Sequence, residues 1–314
     1  MSQEVLLVVD DEPRVLRALK AVFRSSYEVK TTTDCQEALS ILKSGSVNTI
    51  ISDQRMPEMR GVDLLSQARE IAPNTMRLLL TGYSDIPSIL DAINEGEVYR
   101  YITKPWDQLE LQSIIADAMA ISKKLIYSDQ VSESEDKTLM QKEDRPELLV
   151  LDAERDIYTM VSKICNKVCN VYHASTIEQS IDQFERNSIQ VIVVKVPYGS
   201  KEYLSFLKLI KSLYPMMVTI AVMAESDADE IISLINEGQI YRYLPVTVPT
   251  GRTRICLQSA INYSRKLQFK PVLAERHAVA TDSQPEALKS SSKNRLMRSI
   301  SILKRRLFGR STEA

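Results

Sequence analysis

The chain has 314 residues, with 40 Lys and Arg against 41 Asp and Glu, for a net charge of −1, which gives no electrostatic case for nucleic-acid binding by the whole molecule. Hydrophobic residues at 44% and charged ones at 26% are the balance of a globular chain, long enough for about two domains. No run of about 18 apolar residues occurs and the N-terminus lacks the basic segment of a secretory signal, so a cytoplasmic protein without a membrane span is expected.

Short, nearly continuous apolar runs at 5–9, 47–52, 76–80 and 98–102, with a weaker one at 27–33, predict strands buried on both faces. Amphipathic stretches at 13–24, 35–43, 61–71, 86–95 and 107–124 alternate with them and predict helices. Pro13 and Pro87 stand where the first turn of a helix accepts proline. Five βα units in succession imply a parallel sheet covered on both sides.

The pattern then repeats. LLVVD at 6–10 returns as LLVLD at 148–152, and INEGEVYRY at 93–101 returns as INEGQIYRY at 235–243, both displaced by 142 residues. Strands are expected near 147–152, 169–174, 190–195, 217–223 and 240–244, and helices near 155–166, 176–187, 201–212, 227–236 and 251–267. The fold class is therefore α/β with two tandem (βα)5 units, 1–126 and 147–268. The polar stretch 127–146 between them is a linker or an extension of the preceding helix. Residues 269–314 form a flexible tail with a basic segment.

Cys35, Cys165, Cys169 and Cys256 are expected to be buried reduced thiols, because no His or Cys spacing completes a metal set around the Cys165–Cys169 pair. His173 and His277 are the only histidines, which leaves little room for a multi-histidine metal site or a histidine-based hydrolase.

Polar residues interrupt the first unit's strands at their carboxyl ends: Asp10 and Asp11, Asp53, Thr81 and Lys104. In an open parallel sheet those ends line the ligand crevice. Three carboxylates at one spot repel one another unless a cation neutralises them, and oxygen ligands of this kind suit Mg2+. Lys104 adds a positive charge for a phosphate oxygen and Thr81 a hydroxyl donor. Together they read as a phosphoryl-transfer site built on positioning and charge neutralisation.

The strings VVDDEP, SDQRMP, LLLTGYSD and YITKPWD, at these separations, resemble a bacterial response-regulator receiver domain over about 1–125. The resemblance implies a flavodoxin-like fold with Asp53 as phosphoacceptor. It implies Mg2+ held by Asp10, Asp11, Asp53 and the backbone carbonyl of Arg55, phosphoryl oxygens held by Thr81 and Lys104, and Tyr101 as a switch aromatic, although Tyr101 also reads as a packed side chain. It further implies a cis Lys104–Pro105 peptide. A sensor histidine kinase or a histidine phosphotransfer protein would be the donor. The face made by the fourth helix, fifth strand and fifth helix would serve a downstream effector or a homodimer.

At the 142-residue offset the second copy keeps Asp152 but has Ala153, Lys195, Met223, Val246 and Thr247 where the first has Asp11, Asp53, Thr81, Lys104 and Pro105. It resembles a degenerate receiver, in which Lys195 is expected to pair with Asp152 in place of a metal. In the tail, 289–310 carries eight Lys and Arg and no acid, with Leu296, Ile300, Leu303 and Leu307 on one helical face. A partner contact, an anionic membrane and a solvated tail all remain open for it; nucleic acid is disfavoured.

The expected function is a response regulator that passes its signal by protein contact, with no catalytic or DNA-binding module of its own. A phosphorelay intermediate or phosphate sink is one alternative. Another is regulation in trans of a cyclic-di-nucleotide enzyme, since YRYITKPWD resembles receivers fused to HD-GYP phosphodiesterases while no HD…GYP, GGDEF or EAL string occurs here.

Overall fold

The computed structural model describes residues 3–82, 98–132, 145–224, 228–236, 240–247 and 249–277. The expected helix at 86–95, the middle of the 127–146 connection and the basic segment at 289–310 lie outside the described residues.

Two five-stranded parallel sheets are present. The first comprises β1 (Val5–Val9), β2 (Glu28–Thr32), β3 (Val47–Asp53), β4 (Met76–Thr81) and β5 (Arg100–Thr103), in the order β2-β1-β3-β4-β5. The second comprises β6 (Glu147–Leu151), β7 (Asn170–Ala174), β8 (Ile189–Lys195), β9 (Val218–Met223) and β10 (Arg242–Pro245), in the order β10-β9-β8-β6-β7. Read from β7, the second sheet has the strand order of the first. The first unit is a flavodoxin-like α/β domain, and the second sheet repeats its parallel arrangement.

The described helices of the first unit are α1 (Pro13–Phe23), α2 (Cys35–Lys43), α3 (Gly61–Ile71) and α4 (Gln108–Ser132). Those of the second are α5 (Asp156–Cys165), α6 (Ile177–Arg186), α7 (Lys201–Leu213), α8 (Ala228–Asn236) and α9 (Thr250–Phe269), followed by a 3-10 turn at Pro271–His277. Local chemistry sets their starts. Pro13 opens α1, and the Asp34 carboxylate caps α2 by accepting the N–H groups of Gln36 and Glu37. Thr176, at the same offset as Asp34, caps α6 by accepting the Gln179 N–H on its hydroxyl oxygen.

All five residues of β1 are buried, as a central strand with helices on both faces requires. Val9 pairs with Ser52 and Asp53 with Leu80, so the carboxyl ends of β1, β3 and β4 align along one edge.

Two boundaries differ from the sequence expectation. Helix α4 continues to Ser132, beyond the expected end at 124, because no proline or glycine stops it there. The tail does not begin as a flexible segment at 269. The 3-10 turn packs against α4 and α9, burying Leu273 and Ala274. Those two apolar residues were a signal for the docked turn that the irregular sequence around them obscured. The units also meet where α8 packs against β5.

Candidate functional site

The first unit's crevice is built by three side chains in direct contact. Asp10, just past β1, is fully buried; its Oδ1 accepts the Glu12 N–H at 2.8 Å and its Oδ2 accepts from Lys104 Nζ at 2.9 Å. Asp53, the last residue of β3, is 6% exposed; its Oδ1 lies 2.5 Å from the same ammonium, and its Oδ2 accepts the Arg55 N–H at 2.6 Å. Burial pulls the Lys104 ammonium down, but its hydrogen bonds to Asp53 and Asp10 outweigh that and hold it above the ordinary lysine range.

The other expected residues are placed as follows. Thr81 is fully buried at the end of β4, level with Thr103 of β5, and its hydroxyl donates to the Gly82 carbonyl at 3.2 Å. Asp11 and Arg55 are exposed at the mouth of the crevice. Among the described residues no ready cluster of three His, Cys, Asp or Glu side chains stands as a metal set: the Lys104 ammonium takes the place between the two buried carboxylates. The Lys104–Pro105 peptide is cis.

Gly61 is a site residue that sequence reasoning missed. A Cβ there would sit 2.0 Å from the Asp53 carbonyl oxygen. Its N–H donates to the Gln54 carbonyl at 3.0 Å, and Gln54 Oε1 accepts from Val62 N–H at 3.3 Å. The bare backbone lets α3 begin directly against the strand that ends in Asp53; a glycine opening an amphipathic stretch was the available signal.

The second unit's crevice is closed differently. Asp152 is buried, but its oxygens accept the N–H groups of Glu154, Ile157 and Tyr158, so it serves as a cap for α5. Lys195 lies 2.5 Å from Glu154 and 3.0 Å from Asp156, and 4.0 Å from Asp152. The expected Lys195–Asp152 pair is thus mainly a Lys195–Glu154–Asp156 cluster, because main-chain donors already occupy Asp152. Arg155, left-handed at φ 67°, turns the chain so that both its neighbours face Lys195. Met223 is buried where Thr81 stands in the first unit.

The retained Tyr-Arg-Tyr string has one local structure in both copies. Arg100 lies over the Tyr99 ring at 4.1 Å and donates to the Tyr99 carbonyl; Arg242 lies over Tyr241 at 4.2 Å and donates to the Tyr241 carbonyl. Both arginines are 5% exposed, so the aromatic face and the carbonyl help replace lost water. Tyr101 is 2% exposed and points inward, and its hydroxyl is buried without a hydrogen-bond partner among the described residues.

With an acidic, cation-bridged crevice at the carboxyl edge of a 2-1-3-4-5 parallel sheet, the first unit has the architecture of a signalling receiver. Residues 6–116 match the response regulator receiver domain, and this part of the chain is such a domain. The hydrogenase transcriptional regulatory protein HoxA of Bradyrhizobium diazoefficiens is 38% identical over 119 residues, 38% of this chain and 24% of that protein. The transcriptional regulatory protein GlrR of Escherichia coli K12 is 36% identical over 115 residues, 36% of this chain and 26% of that protein. The chain thus spans about a quarter of the length of these relatives. Among solved structures, the signal receiver domain of an HD domain-containing protein from Pseudomonas fluorescens Pf-5 is 34% identical, with a TM-score of 0.39 over 40% of this chain and 94% of that one. Among the described residues no helix is long and apolar enough to cross a membrane.

Proposed function

We propose that the first unit accepts a phosphoryl group on Asp53 from a sensor histidine kinase or histidine phosphotransfer protein, and that the chain passes the signal on by protein contact. The observation that carries this reading is the carboxylate pair Asp10 and Asp53, taken from adjacent strands and held on one ammonium at 2.9 and 2.5 Å. Two buried carboxylates this close stay ionised only around positive charge. The donor set fits Mg2+, with Asp10, Asp11, Asp53 and the Arg55 carbonyl as the residues that would hold it. When bound, the ion supplies neutralisation of the transferred group's charge.

In the transfer, an Asp53 carboxylate oxygen forms the new O–P bond while the P–N bond of the donor's phosphohistidine breaks, its electron pair leaving on the imidazole nitrogen. Lys104 swings from the carboxylates it bridges to a phosphoryl oxygen, and the Thr81 hydroxyl leaves its bond to Gly82 for another. Buried Tyr101 is the switch aromatic. The second unit is a degenerate receiver in which Lys195 supplies the positive charge that a metal would otherwise bring. Phosphohistidine donors are made from ATP, which places the exchange in the cytoplasm. The chain carries no further enzymatic step.

The test is incubation with acetyl phosphate and Mg2+, followed by intact mass and peptide mapping. A single phosphoryl adduct on Asp53, absent from Asp53→Asn, is expected; equal labelling of the variant rejects the reading. A second reading follows from the relatives' names: HoxA and GlrR are transcriptional regulators, and action on transcription by this chain would appear as a salt-dependent DNA shift lost on removal of 289–314.

A further inference from the structure

We propose that the second unit docks in cis on the edge strand β5 and senses the acidic crevice of the first unit through a clasp between Asn236 and Tyr101. The inference builds on the phosphoacceptor reading only for what would trip the crevice.

β5 is an outer strand of its sheet, and such a strand presents main-chain donors and acceptors with no neighbour. Asn236, the last residue of α8, meets both of these groups on one residue. Its Nδ2 donates to the Tyr101 carbonyl at 2.7 Å, and its Oδ1 accepts the Tyr101 N–H at 3.0 Å. A carboxamide carries a donor and an acceptor on one short planar group, so it completes the edge as a further strand does. Apolar packing backs the clasp: Leu234, Ile235 and Tyr243 of the second unit share one buried cluster with Val98 and Tyr101 of the first.

The clasp is three residues from the crevice. β5 runs from Tyr101 through Ile102 to its end at Thr103, and Lys104, whose ammonium lies on Asp53, follows directly. Any shift of that ammonium is felt along a short, stiff strand. Two features let the strand respond. Among the described residues the Tyr101 hydroxyl is buried without a partner, a costly arrangement that packing from both units maintains. A cavity of about 410 Å3 lies at the junction, lined by Trp106 and Glu110 of the first unit and Ile232, Ser233 and Asn236 of the second, and leaves room for movement. In the repeated INEGxxYRY string, the Asn of the second copy and the last Tyr of the first are the two halves of the contact. Asn94, the counterpart of Asn236, lies outside the described residues.

The test uses the full chain without phosphate, labelled with 15N at asparagine and tyrosine, and reads hydrogen exchange at the Tyr101 amide. Asn236 is partly exposed at a helix end, so replacing it opens no core cavity. Asn236→Ala removes donor and acceptor together, and Ser233→Arg crowds the junction; each should speed exchange at Tyr101 about tenfold or more. Lys104→Met should shift the Asn236 side-chain amide resonances. Unchanged protection of Tyr101 in both second-unit variants overturns the clasp. Unmoved Asn236 resonances in Lys104→Met overturn the sensing. Neither result bears on labelling of Asp53, so the two readings fail separately.

Discussion

Lys195 takes the place of Asp53 in the second unit, yet it binds Glu154 at 2.5 Å rather than the buried Asp152 4.0 Å away. Glu154 is 74% and Asp156 49% exposed, so water screens both pairs. Lys195→Met should therefore cost less than about 1 kcal/mol in urea unfolding. Lys195→Asp should leave the second unit unlabelled by acetyl phosphate, because Met223 and Val246 offer no partner for phosphoryl oxygens. Labelling of that variant at position 195 contradicts the account.

Gly61→Ala tests the close approach of α3 to β3. The new methyl meets a main-chain oxygen at 2.0 Å, so backbone has to move rather than a side-chain tip. A loss of about 2–4 kcal/mol in unfolding free energy is expected, together with slower labelling of Asp53. A variant as stable and as readily labelled as the parent shows that the approach is looser than described.

Lys211 gives a pH dependence. It is 3% exposed, its ammonium donates to the Met217 carbonyl at 2.7 Å, and burial pushes its pKa down to about 7. In the unfolded chain it holds its proton to ~10.4. Between about pH 7 and pH 10 the unfolded state therefore carries more protons, and stability rises with pH through that window. Below it both states are protonated and the burial penalty is complete. Lys211→Met should stabilise the chain by about 1–3 kcal/mol at pH 7 and flatten the rise between pH 7 and pH 9 in urea titrations. A parent curve already flat there removes Lys211 as the source.

Tyr101→Phe removes a buried hydroxyl that has no partner among the described residues. Deleting such a group relieves its desolvation cost, so stability should hold or rise by about 1 kcal/mol. Thermal unfolding checks this, and a clear loss of stability points to an unseen partner for the hydroxyl.

Much of this was legible in the sequence because the repeat and the apolar runs act locally. The spans of β1, α2 and α3 match the expected 5–9, 35–43 and 61–71, and of the polar residues expected at strand ends, Asp10, Asp53 and Lys104 stand in contact. What was not legible depends on choices between distant partners. Lys195 had three acidic candidates, and the choice was settled by main-chain donors around Asp152 and by the left-handed Arg155. Asn236 looked like part of a helix end, since nothing in its own neighbourhood indicates an edge strand 135 residues away in the chain. α4 ran past its expected stop because a polar helical extension and a polar linker have the same composition.

The ammonium in the second crevice belongs to the chain itself. Its charge balance does not wait on an ion from solution, and chelators or changing magnesium should leave that half as it is. Of two units with the same strand order, the second carries its own counter-charge, like the fixed arm against which a balance is read.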